Sequence, residues 1–248
     1  MTLSSQNNKP KQIILNAFDM NSVGHINHGL WTHPRDESHS FNELSYWTDL
    51  AQTLEQGLFD GLFIADITGV YDVYQNGLDL TLKESIQLPS HDPSTLVSAM
   101  AAVTQHLGFG VTVNLSYESP YQFARRFASL DHLTHGRIGW NIVTGYLDSA
   151  ERLIGQKGLK DHDLRYEQAE EFLELCYKFW EGSWEDDAVQ KDKLNRVFTD
   201  PSKVHAIQHQ GKFFQSQGIF QVSPSIQRTP VLYLSLIHIS EPTRRYAI

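Results

Sequence analysis

Leu130-Asp131-His132-Leu133-Thr134-His135-Gly136-Arg137-Ile138-Gly139-Trp140-Asn141-Ile142-Val143-Thr144-Gly145 decides how the rest of the chain is read. It has the form of a helix end, a turn at Gly136, and a short buried strand over Arg137–Thr144 with polar groups at its far end. Where parallel strands are joined by helices, ligands and catalytic groups collect at the strands' carboxyl ends. Asn141 and Thr144 are therefore candidates for a working face.

Working outward, strand-like runs alternate with helical patterns. Gln12–Phe18, Gly61–Ala65 and Leu107–Leu115 precede the opening strand, and Pro230–Tyr233 starts a fifth. Between them, Asn42–Gly57 carries Leu44, Trp47, Leu50, Ala51 and Leu54 at helical spacing. Pro93–His106 begins with Asp92 as N-cap and proline at the first helical position. Pro120–Leu133 is a third helix, and His162–Trp180 a long amphipathic fourth. This alternation predicts a parallel sheet with right-handed crossovers. No Gly-rich phosphate loop follows the first strand, which favours a (β/α)8 barrel, truncated after about the fifth strand, over a doubly wound sheet. Lys212–Phe214 and Ile219–Val222, separated by Gln215–Gly218, read as a hairpin within an insertion spanning about residues 183–225.

The 248 residues carry 29 Asp+Glu against 20 Lys+Arg, a net charge of -9 that argues against a nucleic-acid surface. The single Cys176 excludes a disulfide framework and a Cys-based metal site, and points to a reducing cytoplasm. Residues 1–11 are polar, read as a flexible N-terminus, and do not resemble a signal peptide. No apolar run approaches the roughly 18 residues of a membrane span. Residues 234–248 break the pattern. Leu234-Ser235-Leu236-Ile237-His238-Ile239-Ser240-Glu241-Pro242-Thr243-Arg244 resembles the in-frame translation of a transposase adapter used in sequencing libraries. The segment is expected to be non-native, the alternative being a genuine basic tail, and 12–233 to be the N-terminal portion of a barrel domain.

Several segments together carry a family resemblance. They are Gly24-His25 through His28-Gly29-Leu30-Trp31, Phe59–Asp66, Arg137–Thr144, His162–Phe172 and Asp200–His205. In this combination and order the chain resembles the bacterial luciferase-like flavin monooxygenases, in the branch of nitrilotriacetate, dibenzothiophene-sulfone and long-chain alkane monooxygenases. Tyr71–Tyr74 and Trp180–Asp186 look most like the alkane-oxidising members. The resemblance implies a two-component reaction. A separate NAD(P)H:flavin reductase supplies FMNH2, which reacts with O2 and oxygenates a small organic substrate in a dry pocket. It also implies a homo-oligomer when the protein is full length.

The family match assigns flavin contacts to Asp66, Thr112 and the helical pair His162 and Tyr166, and Asn141, in the fourth strand, is a candidate to hydrogen-bond the isoalloxazine edge. His25, with His28, is the candidate nearest the reactive oxygen, as hydrogen-bond donor or proton shuttle, because both follow the carboxyl end of the first strand. Each has a plainer reading: Asp66 as a cap or Arg partner, Thr112 as an ordinary strand residue, Asn141 as a satisfied core amide. His162 would then be merely exposed beside the capping Asp161, and His25 and His28 two of 12 histidines. A His-based metal site is not expected, because no second histidine stands at helical spacing from His162. Two departures bear on substrate: Ser22 stands where the alkane branch has Cys, and Tyr146 where it has His. A hydroxyl supplies no thiolate, and a phenol titrates far above an imidazole. The family's serines for the FMN phosphate follow the fifth strand, so the chain as written is expected to be inactive. A non-catalytic flavin-binding fragment and a deazaflavin-dependent dehydrogenase on the same barrel are the alternative functions.

Overall fold

The structure, a computed structural model, describes residues 13–156 and 158–234. Its elements run β1 (Asn16–Met20), α1 (Leu44–Gln56), β2 (Gly61–Ala65), α2 (Asp79–Lys83), α3 (Val97–Ala102) and β3 (Gly108–Asn114). Then come α4 (Pro120–Thr134), β4 (Ile138–Val143), α5 (Asp148–Leu153), α6 (His162–Gly182), β5 (Val189–Asp192) and β6 (Val197–Thr199). β7 (Ile207–Gln210), β8 (Gln215–Gly218) and β9 (Val231–Leu234) complete the series. Five strands form one sheet in the order β1-β2-β3-β4-β9, every neighbouring pair parallel. Sequence-adjacent parallel strands with helical crossovers make an arc of a (β/α)8 barrel.

The opening stretch shows how local chemistry sets this arrangement. Ser119 caps α4 by accepting from Gln122 N, and Pro120 occupies its first turn. At the other end His135 and Gly136 both adopt left-handed backbone, and Gly136 N donates back to Asp131 O at 3.0 Å. That reversal aims the chain into β4. Trp140 is fully buried and faces the helices, with Phe123 of α4 at 4.2 Å and Phe172 of α6 at 6.1 Å between ring centres. Burying one such side chain stabilises by roughly 2–3 kcal/mol.

Alternation then sends Gly139 and Asn141 to the opposite, concave face. The ring of Tyr233 crosses this face. A Cβ on Gly139 would lie 2.6 Å from its Cε2, and one on Gly110 3.1 Å. Phe63 meets Tyr233 edge-on at 5.5 Å and stacks on Phe18 at 5.4 Å, so the inner surface of the arc is aromatic.

At the amino ends of the strands, charged side chains hold the backbone. The Arg137 guanidinium donates to Thr134 O, Leu107 O, Ala101 O and both oxygens of Thr104. Glu55 accepts from the N–H groups of Gln105, His106 and Leu107. These two residues explain why Pro93–His106 is not one continuous helix. It is a 3-10 turn, Pro93–Thr95, then α3 ending at Ala102, because its later backbone groups are captured from outside.

The hairpin expected from Lys212–Phe214 and Ile219–Val222 does not form. β7 pairs with β8 instead, so Gln215–Gly218, read from sequence as the turn, is a strand. The reason is Glu171 on α6, whose carboxylate accepts from Phe213 N and Phe214 N and from His209 Nε2. That fixes 211–214 as the turn. A second hairpin, β5–β6, and the short helices α2 and α5 have no counterpart among the sequence expectations. Residues 1–12 and 235–248, with the N-terminal and adapter-like segments, lie outside the described residues.

Candidate functional site

Polar groups cluster where the strands end. β3 and β4 pair Thr112 with Asn141, and Asn141 Nδ2 donates to Thr112 Oγ1 at 2.9 Å. Both side chains are buried, and Asn141 Oδ1 has no hydrogen-bond partner among the described residues. A buried, unpaired acceptor costs about 1–3 kcal/mol, so its presence on the concave face favours a donor arriving from a ligand.

Asp66 follows β2 directly. Burial and the neighbouring charge of Asp92 push its carboxyl up to about 6, against the pull of the Ile67 N–H. His25 lies in the loop after β1, its ring 4.9 Å from Phe18. Its Nδ1 is buried without a partner among the described residues, and burial, aided by His28, pushes its pKa down, which favours the neutral ring. His28 itself is exposed.

His162 and Tyr166 stand one turn apart on α6 with ring centres 4.7 Å apart. Both are exposed; His162 Nδ1 meets Asp163 at 3.0 Å, and Asp161 caps the helix. Their contacts do not reach Asp66, Thr112 or Asn141. What places this helix end near the site is Arg165, which donates to Gly145 O just beyond β4. The structure thus joins Thr112 to Asn141, sets Asp66 and His25 at neighbouring strand ends, and leaves His162 and Tyr166 at the rim.

Other residues of the rim escaped the sequence reading. Asn21, directly after β1, is 2% exposed, and its Oδ1 has no partner among the described residues; its place just past a strand was the available signal. Tyr117 donates to the buried Glu151 at 3.3 Å, and its phenol is pushed up to about 12 by burial and that carboxylate. By contrast, Tyr146, marked in the sequence as a departure from the alkane branch, shares a 2.6 Å hydroxyl contact with Tyr71. No group of three or more His, Cys, Asp or Glu suited to a metal occurs among the described residues. Cys176 is buried and its thiol is pushed up, away from thiolate chemistry. A separate acidic groove adjoins the loop before β9, but its Glu181, Glu185, Asp186 and Asp187 already pair with Thr229, His205, Arg228 and Lys203.

An arc of parallel strands with its polar groups gathered at their carboxyl ends defines a barrel of the enzyme type. The sequence profile of the family described as luciferase-like monooxygenase matches residues 25–236, and the chain belongs to that family. It is 54% identical to a long-chain alkane monooxygenase of Geobacillus thermodenitrificans over 96% of this chain and 53% of that protein. It is 53% identical to a dimethyl-sulfide monooxygenase of Hyphomicrobium sulfonivorans, over 90% of this chain and 46% of the relative. Among solved structures, the long-chain alkane monooxygenase LadA superposes with a TM-score of 0.91 at 54% identity, over 93% of this chain and 53% of that one. A riboflavin lyase holding modified FMN and riboflavin gives 0.86 at 42% identity, over 90% and 50%. The chain spans about half the length of the curated relatives it matches.

Proposed function

We propose that this chain is the flavin-facing part of an FMNH2-dependent two-component monooxygenase acting on an apolar or organosulfur substrate. NAD(P)H, through a separate flavin reductase, supplies two electrons as FMNH2. One atom of O2 enters the substrate, the other leaves as water, and FMN is released oxidised. The observation that carries this is the Thr112–Asn141 pair, whose free Asn141 oxygen sits on a concave face lined by Phe18, Phe63 and Tyr233.

An isoalloxazine ring offers N–H donors at its edge and a large apolar face. Asn141 Oδ1 is a carbonyl oxygen and can only accept, so it suits such a donor, and the Nδ2 bond to Thr112 fixes the amide's orientation. Bound FMN supplies the oxygen chemistry, and the protein's task is to hold it and exclude water. Thr112 orients the Asn141 amide. Asp66, titrating near 6, contributes either a donor or an acceptor to the ring edge according to pH. His25 in its neutral form holds or passes a proton at Nδ1, the atom without a partner. His28 extends that proton path towards solvent, and His162 with Tyr166 covers the flavin from α6. The aromatic face and the likeness to alkane and dimethyl-sulfide enzymes support an apolar substrate.

The test is reconstitution of the full-length enzyme with a flavin reductase, NAD(P)H, FMN and 18O2, offered alkanes and alkyl sulfides. Product carrying one labelled oxygen is expected, and no product across the panel refutes the proposal. A parallel titration should show binding of reduced FMN and not of a reduced deazaflavin; the reverse preference would make the protein a hydride-transferring dehydrogenase.

A further inference from the structure

The loops after β2, β3 and β4 converge on α5. We propose that Ser149, on that helix, is a positioning residue: its hydroxyl latches the segment that follows Asp66 to α5, so that the ends of β2 and β4 form one rigid rim across β3. The inference rests on the flavin reading above, because Asp66 is what the latch positions.

Ser149 is 4% exposed, and its Oγ serves one partner twice. It accepts from Val70 N at 2.8 Å and donates to Val70 O at 2.7 Å, across 79 positions of sequence. The hydroxyl's donor and one acceptor site are thereby spent on the backbone of one residue, which leaves little freedom for a segment only four residues past Asp66. The approach is close. Gly69 has φ +105°, and a Cβ there would lie 2.8 Å from both Ala150 N and Ser149 Oγ, so glycine is required on both counts. Two outer contacts flank the latch, the Tyr71–Tyr146 hydroxyl pair and the Arg152–Asp72 ion pair. Tyr146 and Arg152 are exposed, so these contribute less than the buried Ser149 bonds.

The same helix receives β3. Tyr117 donates to Glu151 on α5, while Ser116 Oγ donates to Thr144 O at 2.9 Å at the end of β4. Arg165 holds Gly145 O from the α6 side. The rim therefore has a hub, and Ser149 is its buried residue whose bonds reach the loop of Asp66. Catalytic constellations need such rigid support, since misplacements of about 1 Å are costly.

The experiment uses Ser149→Ala and Ser149→Cys in the 248-residue chain; the second keeps the side chain's shape but replaces the hydroxyl with a bulkier, weaker hydrogen-bonding sulfur, and decides the matter if the first does not fold. Amide exchange at Val70 should accelerate about tenfold, with exchange in β3 and α4 unchanged. The dissociation constant for reduced FMN should rise about 5- to 30-fold. Arg137→Ala is the control: it weakens the fold from the opposite end of the strands and should leave the affinity of the folded fraction unchanged. Unchanged exchange at Val70 overturns the latch. Faster exchange with unaltered FMN affinity overturns the positioning role. If the wild-type chain takes up no FMN, the flavin proposal fails, while exchange at Val70 still decides the latch.

Discussion

Replacing Asn141 with Leu should cost the free protein almost nothing and cost it its flavin. Asn141 is 4% exposed and makes one side-chain bond, from Nδ2 to Thr112 Oγ1, while its Oδ1 is buried and unpaired. Leucine has nearly the same shape. The substitution loses a hydrogen bond worth about 1 kcal/mol and removes an unsatisfied acceptor costing about 1–3 kcal/mol. It also adds apolar burial worth about 1 kcal/mol. Thr112 can turn its hydroxyl, so its loss of a donor adds little. The sum is about 1–3 kcal/mol of stabilisation. Binding has the opposite sign under the proposed function, in which the oxygen unpaired in the free protein is the acceptor for the flavin. Losing that bond should weaken reduced FMN by about 1.5 kcal/mol or more, at least tenfold. Urea unfolding without flavin and anaerobic titration with reduced FMN measure the two halves. A variant destabilised by more than about 2 kcal/mol that keeps its FMN affinity would refute the reasoning, and would make Asn141 a structural amide.

The remaining predictions probe other parts of the same architecture. Arg137→Ala removes five hydrogen bonds from the α3–β3 connection and the end of α4, and should destabilise by about 3–5 kcal/mol in urea without altering flavin affinity. Gly139→Ala sets a Cβ 2.6 Å from Tyr233 Cε2 and should cost about 1–3 kcal/mol; pairing it with Tyr233→Ala should recover part of that loss, seen as coupling in a double-mutant cycle. Asp66 has its carboxyl raised from 3.8 to about 6, so the folded state holds the proton more tightly than the unfolded state. Its contribution is present below about pH 4 and lost as pH rises towards 6, and Asp66→Asn should gain about 2 kcal/mol on wild type between pH 4 and pH 7. Glu55 behaves oppositely: burial would raise it, but the N–H groups of His106, Gln105 and Leu107 carry it down to about 2. That stability is present above its ordinary pKa of 4.5 and lost as pH falls towards 2, and thermal scans of Glu55→Gln should show a flatter acid limb.

Where local chemistry sets an element, the sequence was enough. Ser119-Pro120 opens α4 and His135-Gly136 closes it, and both signals act within a few residues of the backbone they serve. The strand that follows was legible for the same reason, and so was the i, i+4 relation of His162 and Tyr166. The failures share a different physics. The turn between β7 and β8 is chosen by Glu171, 42 residues before Phe213, and no hairpin propensity in Gln215–Gly218 competes with three donors converging on one carboxylate. The break after α3 is imposed by Glu55 and Arg137 from either side in sequence. α5 has six residues, too few for a periodic signal, and its role rests on bonds to Val70 and Tyr117. Asn141 could be named as a candidate from its place at a strand end, but that its oxygen lacks a partner is a property of the packed site.

The two ends of β4 carry different burdens, and this sets which substitutions the fold can absorb. Arg137, at the amino end, has every guanidinium nitrogen engaged by backbone or Thr104 oxygens, an arrangement that stabilises and does nothing else. Asn141, four residues on, leaves an acceptor unpaired at some cost to stability. Strain of that kind persists only where the surrounding structure is firm enough to hold it. The firmness comes from the amino-end clamps, the buried Trp140 between α4 and α6, and the rim gathered on α5. A barrel strand can therefore be tuned for a new ligand at its carboxyl end while its amino end is left alone. Effects on stability and on binding should separate along β4 by position: a structural loss at Arg137, a steric loss at Gly139, and at Asn141 a loss of ligand affinity without a loss of stability.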